Sequence, residues 1–533
     1  MFDLGRSILA SAERSPDAVA IVDGDLRLTY AQWLERIRRL VGAFDRLALC
    51  PGDRIATALQ NTWEMATIHW ACQLAGIAVV PLNWRVKADE LDYCLPDAEV
   101  RALFYQDVSA DAVRDSAAAR ALPRIMIGDW AVGDPGDGSD HRFADLLESE
   151  MAQAQPRATA EHVSLFLYTS GTTGKPKGVP RRHRTERASA IAHVAQNCYR
   201  RGERTLGVMP LYHTMGVRSL LAMALVDGCF VCLPRFDTGR ALELIAAERL
   251  SCLYLVPTLY HDLLADPDFA RSDVSSVRKL GFAGASMTDG LLKRLDAAFR
   301  PELFVNHYGS SEIYTFTIDQ NAPAKPGSAG KAALNQRIRI VRLGSFDPDA
   351  CAAAGEEGQI VADLSGDESF EGYWKRPDAD AKALHAGWYF TGDIGFLDAD
   401  GDLFVTGRVD DMIITGGENV SPVEIESVLS LHDGVLEVAV AGLPDERWGQ
   451  RVVAFVKRAC GVEAKDLDDH CRTSGLANFK RPREYVFLDE IPKSPVGKIL
   501  RRKLQAGEFA LEHKPAEHKP TEHKPAEHSP TLS

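Results

Sequence analysis

The chain lacks three features that would each assign it to a specialised class of protein. Its 533 residues include 10 cysteines, too few for a disulfide framework. Its most apolar stretch, residues 220–233, is short and interrupted by Asp227, so no membrane span is predicted. Positive charge is also scarce. With 61 Lys and Arg against 75 Asp and Glu, the net charge is −14, which argues against coating of nucleic acid or anionic lipid.

The composition that is present is that of a globular protein. Hydrophobic residues make up 45% of the chain, enough for large buried cores, and the 42 glycines and 27 prolines are near average usage. Asp3 and Arg6 interrupt the apolar segment that a secretory signal would need. We therefore predict a soluble, cytoplasmic, multidomain protein.

One cysteine pair, Cys229 and Cys232, has the C-x-x-C spacing of zinc and redox sites. No second pair accompanies it in the sequence, and the apolar residues around it are typical of a buried strand. In such a strand cysteine behaves as a small hydrophobic residue. We predict a strand here rather than a zinc or redox site.

Helix and strand patterns alternate along the first 300 residues, which predicts parallel sheets covered by helices. The segments 20–22 and 26–28 are predicted to form a hairpin, and Thr29 with Gln32 is predicted to open a helix through a capping box. From residue 336 shorter strands indicate a β-rich subdomain. The predicted fold class is α/β: a large N-terminal domain, residues 1–409, hinged to a small α+β C-terminal domain, residues 410–510.

Residues 511–533 have a different character, because Glu-His-Lys-Pro units repeat there with a five-residue period. Each unit contains proline and none has an apolar face, so we predict a disordered, extended tail. Its histidines at 513, 518, 523 and 528 could bind metal weakly, and a solvated tail is the favoured interpretation.

The clearest local pattern is Tyr-Thr-Ser-Gly-Thr-Thr-Gly-Lys-Pro-Lys-Gly-Val at residues 168–179, directly after the apolar run 163–167. Its glycines allow backbone N–H groups to approach an anion closely, and its hydroxyls and lysines add donors and positive charge. It is not a Walker A loop, because Pro176 stands where that motif has a serine or threonine for Mg²⁺. The pattern predicts a polyphosphate site in a protein that is not a P-loop NTPase.

These residues resemble the phosphate-binding signature of the acyl-adenylate-forming enzymes, Ser/Thr-Gly-Thr-Thr-Gly-x-Pro-Lys-Gly. Further motifs of that family follow in order as far as Leu504, and they look most like the acyl- and aryl-CoA synthetase branch, in particular the bacterial 4-chlorobenzoate:CoA ligases. The motifs are Tyr-Gly-Ser-Ser-Glu at 308–312, Thr-Gly-Asp at 391–393, Gly-Arg-Val-Asp-Asp at 407–411 and Pro-Val-Gly-Lys at 495–498.

The resemblance implies an ATP site. Glu312 would hold Mg²⁺ with hard carboxylate oxygens, Tyr308 would stack on adenine, and Asp393 would accept both ribose hydroxyls. Ser311 replaces the family's usual threonine and keeps its hydroxyl. The full implied ATP-binding set is Thr169, Ser170, Gly171, Thr172, Thr173, Gly174, Lys175, Lys177, Ala283, Gly284, Ala285, Tyr308, Gly309, Ser310, Ser311, Asp393 and Arg408.

Two further roles are implied by the C-terminal motifs. Lys498 would be the catalytic lysine, because a cation between the acyl carboxylate and the α-phosphate offsets charge that builds there during adenylation. Asp410 would be the hinge about which the C-terminal domain rotates between adenylation and thioester formation.

His213 matches the histidine beside the acyl carboxylate in the family, and Arg218 lies about one helical turn beyond it. The implied acyl-binding set is His213, Thr214, Met215, Tyr254, Ala283, His307, Gly309 and Tyr314. Several of these side chains are polar where the chlorobenzoate ligases have apolar residues. Because an unpaired buried polar group is costly, we expect an aromatic or cyclic acid that carries a hydroxyl or another polar substituent.

The CoA site implied by the resemblance comprises Arg85, Gly416, Gly417, Trp448, Arg481 and Arg483. The glycines would border the pantetheine tunnel, the tryptophan would face adenine, and the arginines would bind phosphates.

The sequence thus predicts an AMP-forming acid:CoA ligase that uses Mg²⁺, ATP, CoA and a small carboxylic acid, with no nucleic acid or membrane partner; a homodimer is left open. Three alternatives stay open as well: a fatty-acyl-CoA synthetase, an enzyme that loads a carrier protein or an amine, and a non-catalytic nucleotide-binding protein. No carrier-like Gly-Gly-x-Ser segment follows residue 504, and Lys498, Glu312 and Asp393 are all present, which disfavours the last two.

Overall fold

The computed structural model describes residues 2–128, 140–169, 176–409, 411–459, 461–493 and 499–512. Its helices are α1 Leu4–Arg14, α2 Tyr30–Arg46, α3 Trp63–Ala75, α4 Ala88–Asp97, α5 Asp107–Asp115, α6 Ala117–Arg120, α7 Phe143–Leu146, α8 His183–Gln196, α9 Thr214–Leu225, α10 Thr238–Ala247, α11 Pro257–Ala265, α12 Asp289–Phe299, α13 Pro377–Ala383, α14 Pro422–Ser430, α15 Ala464–Thr473 and α16 Arg501–Gln505. Short 3₁₀ turns span Phe269–Arg271 and Ala322–Ala324.

The strands are β1 Val19–Asp23, β2 Leu26–Thr29, β3 Arg54–Ala58, β4 Ala78–Pro81, β5 Ala102–Gln106, β6 Arg124–Ile127, β7 Asp140–Arg142, β8 Val163–Thr169, β9 Lys177–Arg182, β10 Arg204–Gly207, β11 Cys229–Cys232, β12 Cys252–Leu255, β13 Lys279–Phe282, β14 Leu303–Tyr308, β15 Thr317–Asp319, β16 Ser328–Ala332, β17 Ile338–Val341, β18 Gly358–Asp363, β19 Leu384–His385, β20 Trp388–Leu397, β21 Leu403–Arg408, β22 Ile413–Thr415, β23 Glu418–Val420, β24 Val435–Asp445, β25 Gly449–Arg458 and β26 Glu484–Phe487.

These strands form three sheets within the described residues. One has the order β7-β6-β5-β3-β4-β8-β9, and a larger one runs β17-β18-β20-β21-β16-β15-β14-β13-β12-β10-β11-β1-β2, with β19 beside β20. The third has the order β23-β22-β25-β24, with β26 beside β25. The chain leaves the large sheet after β21 and enters the small one at β22. The predicted α/β fold class, with a β-rich region after the helix-covered sheets, is confirmed.

Local sequence signals explain the first elements. Thr29 caps α2 and forms a capping box with Gln32, as predicted, and β1 and β2 pair as an antiparallel hairpin. Gly76 and Gly401 have positive φ angles, 76° and 81°, and lie just before β4 and β21.

Burial follows the sheets. Cys229 and Cys232 are both buried in β11, which confirms the predicted strand. Most strands between β3 and β14 pair in parallel, with helices packed against them, so the apolar side chains form cores on the faces of both large sheets. No helix in the described part of the chain has the length and apolar composition needed to cross a bilayer.

Candidate active site

The predicted polyphosphate loop is flanked by an antiparallel hairpin. Thr169 ends β8, Lys177 begins β9, and the two residues are register partners. The Thr169 hydroxyl donates to the Lys177 carbonyl oxygen over 3.4 Å. The apolar run 163–167 that precedes the loop lies within β8. Ser170, Gly171, Thr172, Thr173, Gly174 and Lys175 lie outside the described residues.

Lys177 lies beside the carboxylate predicted to hold Mg²⁺. Its Nζ is 4.0 Å from the centroid of the Tyr373 ring, and the Tyr373 hydroxyl donates to Glu312 Oε1 over 2.7 Å. Partial burial lowers the pKa of Lys177, and the Glu312 carboxylate opposes that shift. A cation that is partly desolvated in this way gains electrostatic stabilisation when an anion such as a phosphate approaches it.

Tyr308, Asp393 and Arg408 form a second group. The Tyr308 hydroxyl donates to Asp393 Oδ2 over 2.6 Å, and Arg408 Nε is 3.5 Å from Asp393 Oδ1. Burial, followed by the charge of Asp393, raises the pKa of Tyr308 well above its ordinary value, so its hydroxyl stays a donor. Tyr389 links the two groups, since the charges of both Glu312 and Asp393 act on its hydroxyl.

The segment between Tyr308 and Glu312 is a tight turn. Ser310 Oγ accepts hydrogen bonds from the backbone N–H groups of Glu312 and Ile313 over 3.2 and 3.3 Å. A Cβ atom at Gly309 would lie 2.0 Å from the carbonyl oxygen of Tyr314. Only glycine therefore fits at this position of the turn.

A buried arginine donates hydrogen bonds to the backbone of the same turn. Arg181 donates from Nη1 to the carbonyl oxygens of Ser311 and Glu312 over 3.3 and 2.9 Å. Its Nε donates to Glu186 Oε1 over 2.5 Å, and both side chains are fully buried. The pair thus connects β9 and α8 to the catalytic candidate Glu312.

The predicted acyl-binding residues lie at the carboxyl edge of three neighbouring parallel strands. Tyr254 lies on β12, Ala283 follows β13, and His307 lies near the end of β14. Gly284 and Ala285 continue the turn after β13. Met215 shares one apolar cluster with Tyr254 and Ala283, and the Tyr254 and His307 ring centroids are 5.0 Å apart. Residues at this edge of parallel strands are where α/β proteins bind ligands.

His213 and Thr214 are brought to the same region by α9. His213 is the residue before the first turn of that helix and is half-buried, and Thr214 is the first helical residue. Tyr314 lies beside this helix, because Arg218 donates from Nη1 to its carbonyl oxygen over 3.3 Å. The Tyr314 hydroxyl donates to Glu186 Oε2 over 3.0 Å, so it has a protein partner.

Two CoA candidates are in contact in the C-terminal domain. Gly416 and Gly417 form the turn between β22 and β23 with φ angles of 61° and 86°. The Gly416 N–H donates to the Trp448 carbonyl oxygen over 2.8 Å, and a Cβ atom on Gly416 would lie 3.0 Å from the indole. The Trp448 side chain is exposed, with Arg447 over its ring.

The three arginines predicted to bind CoA phosphates have different surroundings. Arg481 forms an ion pair with Asp468, with 3.2 Å between Nε and Oδ1. Arg483 is exposed, and Arg85 is exposed with its guanidinium 3.7 Å from the Trp84 ring centroid. Asp410, Lys498 and the repeat tail 513–533 lie outside the described residues.

Several side chains of the site were missed by sequence reasoning: Arg181, Glu186, His193, Asn197, Glu368 and Tyr373. Arg181 and Glu186 follow shortly after the glycine-rich motif at 168–179, but their residue types carry no signal alone, and Tyr373 lies in no recognised motif. Alternation along β9 could have indicated that Arg181 faces inward, because Val179 two residues earlier is buried.

Comparisons with known proteins identify the family of this chain. The model of the AMP-binding enzyme family matches residues 8–374, and that of the AMP-binding enzyme C-terminal domain matches residues 424–498. The chain therefore belongs to the AMP-binding enzyme family, as the motifs implied.

Three of the similar proteins are named as CoA ligases or synthases. The chain is 33% identical over 500 residues to the 4-chlorobenzoate–CoA ligase of Arthrobacter sp, covering 93% of each chain. It is 34% identical over 509 residues to the feruloyl-CoA synthase of Amycolatopsis sp, covering 94% of this chain and 98% of the relative. The crystal structure of the anthranilate CoA ligase AuaEII with anthranoyl-AMP aligns with a TM-score of 0.86 at 25% identity, covering 95% of this chain and 97% of that one.

Proposed function

We propose that this enzyme is an AMP-forming acid:CoA ligase that acts on an aromatic or cyclic carboxylic acid. The observation that carries the proposal is the polar cluster of Lys177, Glu312, Tyr308, Asp393 and Arg408, which brings the start of β9 in one sheet together with the ends of β14 and β21 and with β20 in the large sheet, beside the acyl candidates. An ATP site that activates an acid needs cations to bind the phosphates, one carboxylate to hold Mg²⁺ and another to bind the ribose. The names of the 4-chlorobenzoate, feruloyl and anthranilate relatives support the CoA acceptor and the aromatic acid.

In the first step an oxygen of the acid's carboxylate attacks the α-phosphorus of ATP. The bond between that phosphorus and the bridging oxygen to the β-phosphate breaks, so pyrophosphate leaves and acyl-AMP remains. We assign Lys177 and the loop 169–175 to the phosphates, Asp393 to the ribose hydroxyls, and Tyr308 to the adenine. Glu312 fits a magnesium ligand, because Tyr373 engages Oε1 and leaves Oε2 as a hard oxygen; bound Mg²⁺ would neutralise phosphate charge.

His213 is assigned to the acid's carboxylate and Lys498 to the charge that develops between that carboxylate and the α-phosphate. The C-terminal domain then rotates about Asp410, which withdraws Lys498 and brings the Gly416–Gly417 turn to the site. The CoA sulfur attacks the acyl carbon, the bond to AMP breaks, and the thiol proton is released to solvent. Trp448, Arg85, Arg481 and Arg483 would hold the nucleotide end of CoA.

The test is acid-dependent exchange of labelled pyrophosphate into ATP, followed by thioester formation with and without CoA. Benzoic, hydroxybenzoic and cinnamic acids form the aromatic arm, and octanoate and palmitate form the aliphatic arm. Exchange and CoA-dependent thioester formation with an aromatic acid are expected. Exchange without thioester formation on CoA would refute the proposal that CoA is the acceptor. Absence of exchange with every acid would refute the proposal that the enzyme activates a carboxylic acid.

The aliphatic arm is included because one relative points to it. The chain is 33% identical over 512 residues to the long-chain-fatty-acid–CoA ligase FadD13 of Mycobacterium tuberculosis, covering 95% of this chain and 98% of the relative. A preference for palmitate would favour that second candidate. The cytoplasmic location and a homodimeric state stay predictions, which cell fractionation and sedimentation would test.

A further inference from the structure

A group of buried polar side chains borders the predicted acyl-binding residues. The imidazole of His193, on α8, lies 4.8 Å from the Tyr254 ring and 5.2 Å from the His307 ring, centroid to centroid. Asn197 lies between the two histidines, and Arg218 of α9 is close enough for its charge to act on both of them. All of these side chains are buried.

The orientation of the Asn197 amide is fixed by the backbone. Its Nδ2 donates to the carbonyl oxygen of His193 over 2.8 Å, which an amide oxygen could not do. The same Nδ2 is 3.1 Å from His193 Nδ1, and Oδ1 is 3.2 Å from His307 Nε2. His193 Nδ1 must therefore accept a hydrogen bond, and His307 Nε2 must donate one.

This orientation sets the proton on each imidazole. Burial lowers the pKa of both His193 and His307 well below the ordinary value, and the positive charge of Arg218 adds to the shift, so both rings are neutral near pH 7. A neutral ring carries one proton. His193 therefore carries it on Nε2, and His307 carries it on Nε2, which leaves a lone pair on His307 Nδ1.

Each histidine is left with one unused hydrogen-bonding atom. His193 Nε2, a donor, and His307 Nδ1, an acceptor, are both buried and have no partner among the residues that the structure describes. Buried polar groups without partners are rare in folded proteins and costly to maintain. A neutral donor and a neutral acceptor in the same cluster match a substituent that both accepts and donates.

The nearby charge has protein partners at two of its three nitrogens, and Arg218 Nε has none among the described residues. Arg218 donates from Nη2 to the Thr315 hydroxyl over 2.6 Å and from Nη1 to the Tyr314 carbonyl oxygen over 3.3 Å. The Thr315 side chain also hydrogen-bonds to the buried carboxyl group of Glu368, on which the charge of Arg218 acts. A second carboxylate on the acid would receive no donor from His307 and would meet its lone pair, so the cluster favours a neutral hydroxyl.

We infer that the preferred acid carries a ring hydroxyl, which accepts from His193 Nε2–H and donates to His307 Nδ1 beside the predicted acyl-binding residues Tyr254, Met215 and Ala283. The inference rests on the proposed ligase function. Asn197 is a positioning residue in this scheme, because it sets which nitrogen of each ring carries the proton.

The first measurement uses the full chain and needs no variant. Adenylation is followed by pyrophosphate exchange with the 2-, 3- and 4-hydroxybenzoates and with the methylbenzoate of the same substitution pattern, since methyl and hydroxyl groups are similar in size. We expect kcat/KM to favour one hydroxybenzoate over its methyl counterpart by about tenfold or more. Equal or better use of all three methylbenzoates would overturn the inference.

Two variants test the assigned atoms. His307→Leu removes the acceptor, and Asn197→Leu removes both the donor to His193 Nδ1 and the acceptor for His307 Nε2, so the ring protons are no longer fixed. Each should reduce the hydroxyl-to-methyl ratio of kcat/KM by about tenfold. Labelled-histidine NMR should show the proton on Nε2 of both rings in the unaltered chain and a mixture of tautomers in Asn197→Leu; a loss of packing alone would not change the tautomer.

His69→Leu is the matched control. His69 is also fully buried, neither of its ring nitrogens has a partner among the described residues, and it lies on α3 near His183, at the opposite end of α8 from His193. It should leave the ratio unchanged. An equal loss of ratio in the control, or an unchanged ratio in His307→Leu, would overturn the inference. Exchange with octanoate but no hydroxybenzoate would do so too while leaving the ligase function intact, whereas no exchange with any acid would refute that function itself.

Discussion

Arg181 gives the most decisive test of how the fold supports the candidate active site. Its side chain is fully buried, its Nε is 2.5 Å from Glu186 Oε1, and Nη1 donates to the carbonyl oxygens of Ser311 and Glu312. The guanidinium also lies 3.8 Å from the Tyr314 ring centroid. One side chain therefore neutralises a buried carboxylate and holds the turn that carries Glu312.

The substitution Arg181→Met keeps much of the apolar stem but removes the charge and every donor. Glu186 would then be a buried carboxylate with only the Tyr314 hydroxyl as its side-chain donor among the described residues. Breaking a buried ion pair by removing one partner costs about 3–5 kcal/mol, and we expect that loss in the free energy of unfolding measured by urea titration. Pyrophosphate exchange should fall as well, because the Ser311 and Glu312 carbonyl oxygens lose their donor.

The double variant Arg181→Met/Glu186→Gln separates the two effects. It removes the uncompensated charge, so most of the stability should return, while exchange should stay low because the turn still lacks its donor. Arg182→Met is the control: it is the next residue of β9, its side chain is partly exposed, and it pairs with Glu371 at the surface. An exposed pair is worth about 0–1 kcal/mol.

Two outcomes would refute this reasoning. A cost below about 1 kcal/mol for Arg181→Met would show that the pair is not buried as the structure has it. Full recovery of exchange in the double variant would show that Arg181 affects Glu312 only through stability.

Three further predictions concern other parts of the chain. Burial, aided by the charge of a second histidine, lowers the pKa of His69 from 6.5 to about 3, so the unfolded state takes up the proton first as pH falls below 6.5. The free energy of unfolding should therefore drop between pH 7 and 5, and His69→Leu should remove about 2 kcal/mol of that drop in denaturant titrations at both pH values. Gly416→Ala would be strained by the φ angle of 61° and by contact of the new Cβ with the Trp448 indole ring, so it should slow thioester formation by about tenfold with little effect on exchange. The control Gly401→Ala, which has open space around it, should not slow thioester formation. Equal effects of the two substitutions would refute the role of the Gly416–Gly417 turn. Lys498→Ala should reduce pyrophosphate exchange by about 100-fold or more but spare thioester formation from supplied acyl-AMP. Lys503→Ala is the control. Equal loss of both half-reactions in Lys498→Ala would contradict the assignment of Lys498 to the adenylation step.

The parts of the site that the sequence predicted are those formed by short continuous motifs. Tyr308, Glu312 and Asp393 lie in segments whose glycines and hydroxyls fix the local backbone, so residue type and order were enough to assign them to an ATP site. The fold class followed from alternating helix and strand periodicity, since burial on both faces of a parallel sheet leaves a regular pattern in the chain.

The sequence by itself thus determined the class of reaction, because phosphate, ribose and magnesium each require particular ligand atoms at short spacing along the chain. Tertiary structure alone decided which other side chains meet those atoms. Three contacts join residues on different elements. Tyr373 contacts Glu312, Arg181 is buried against Glu186, and Asn197 lies between His193 and His307. The periodicity of a sequence indicates which face of a helix or strand is buried. It does not indicate which polar group from another element pairs with a side chain on that face. Such pairings set the charges and the proton positions that a substrate meets.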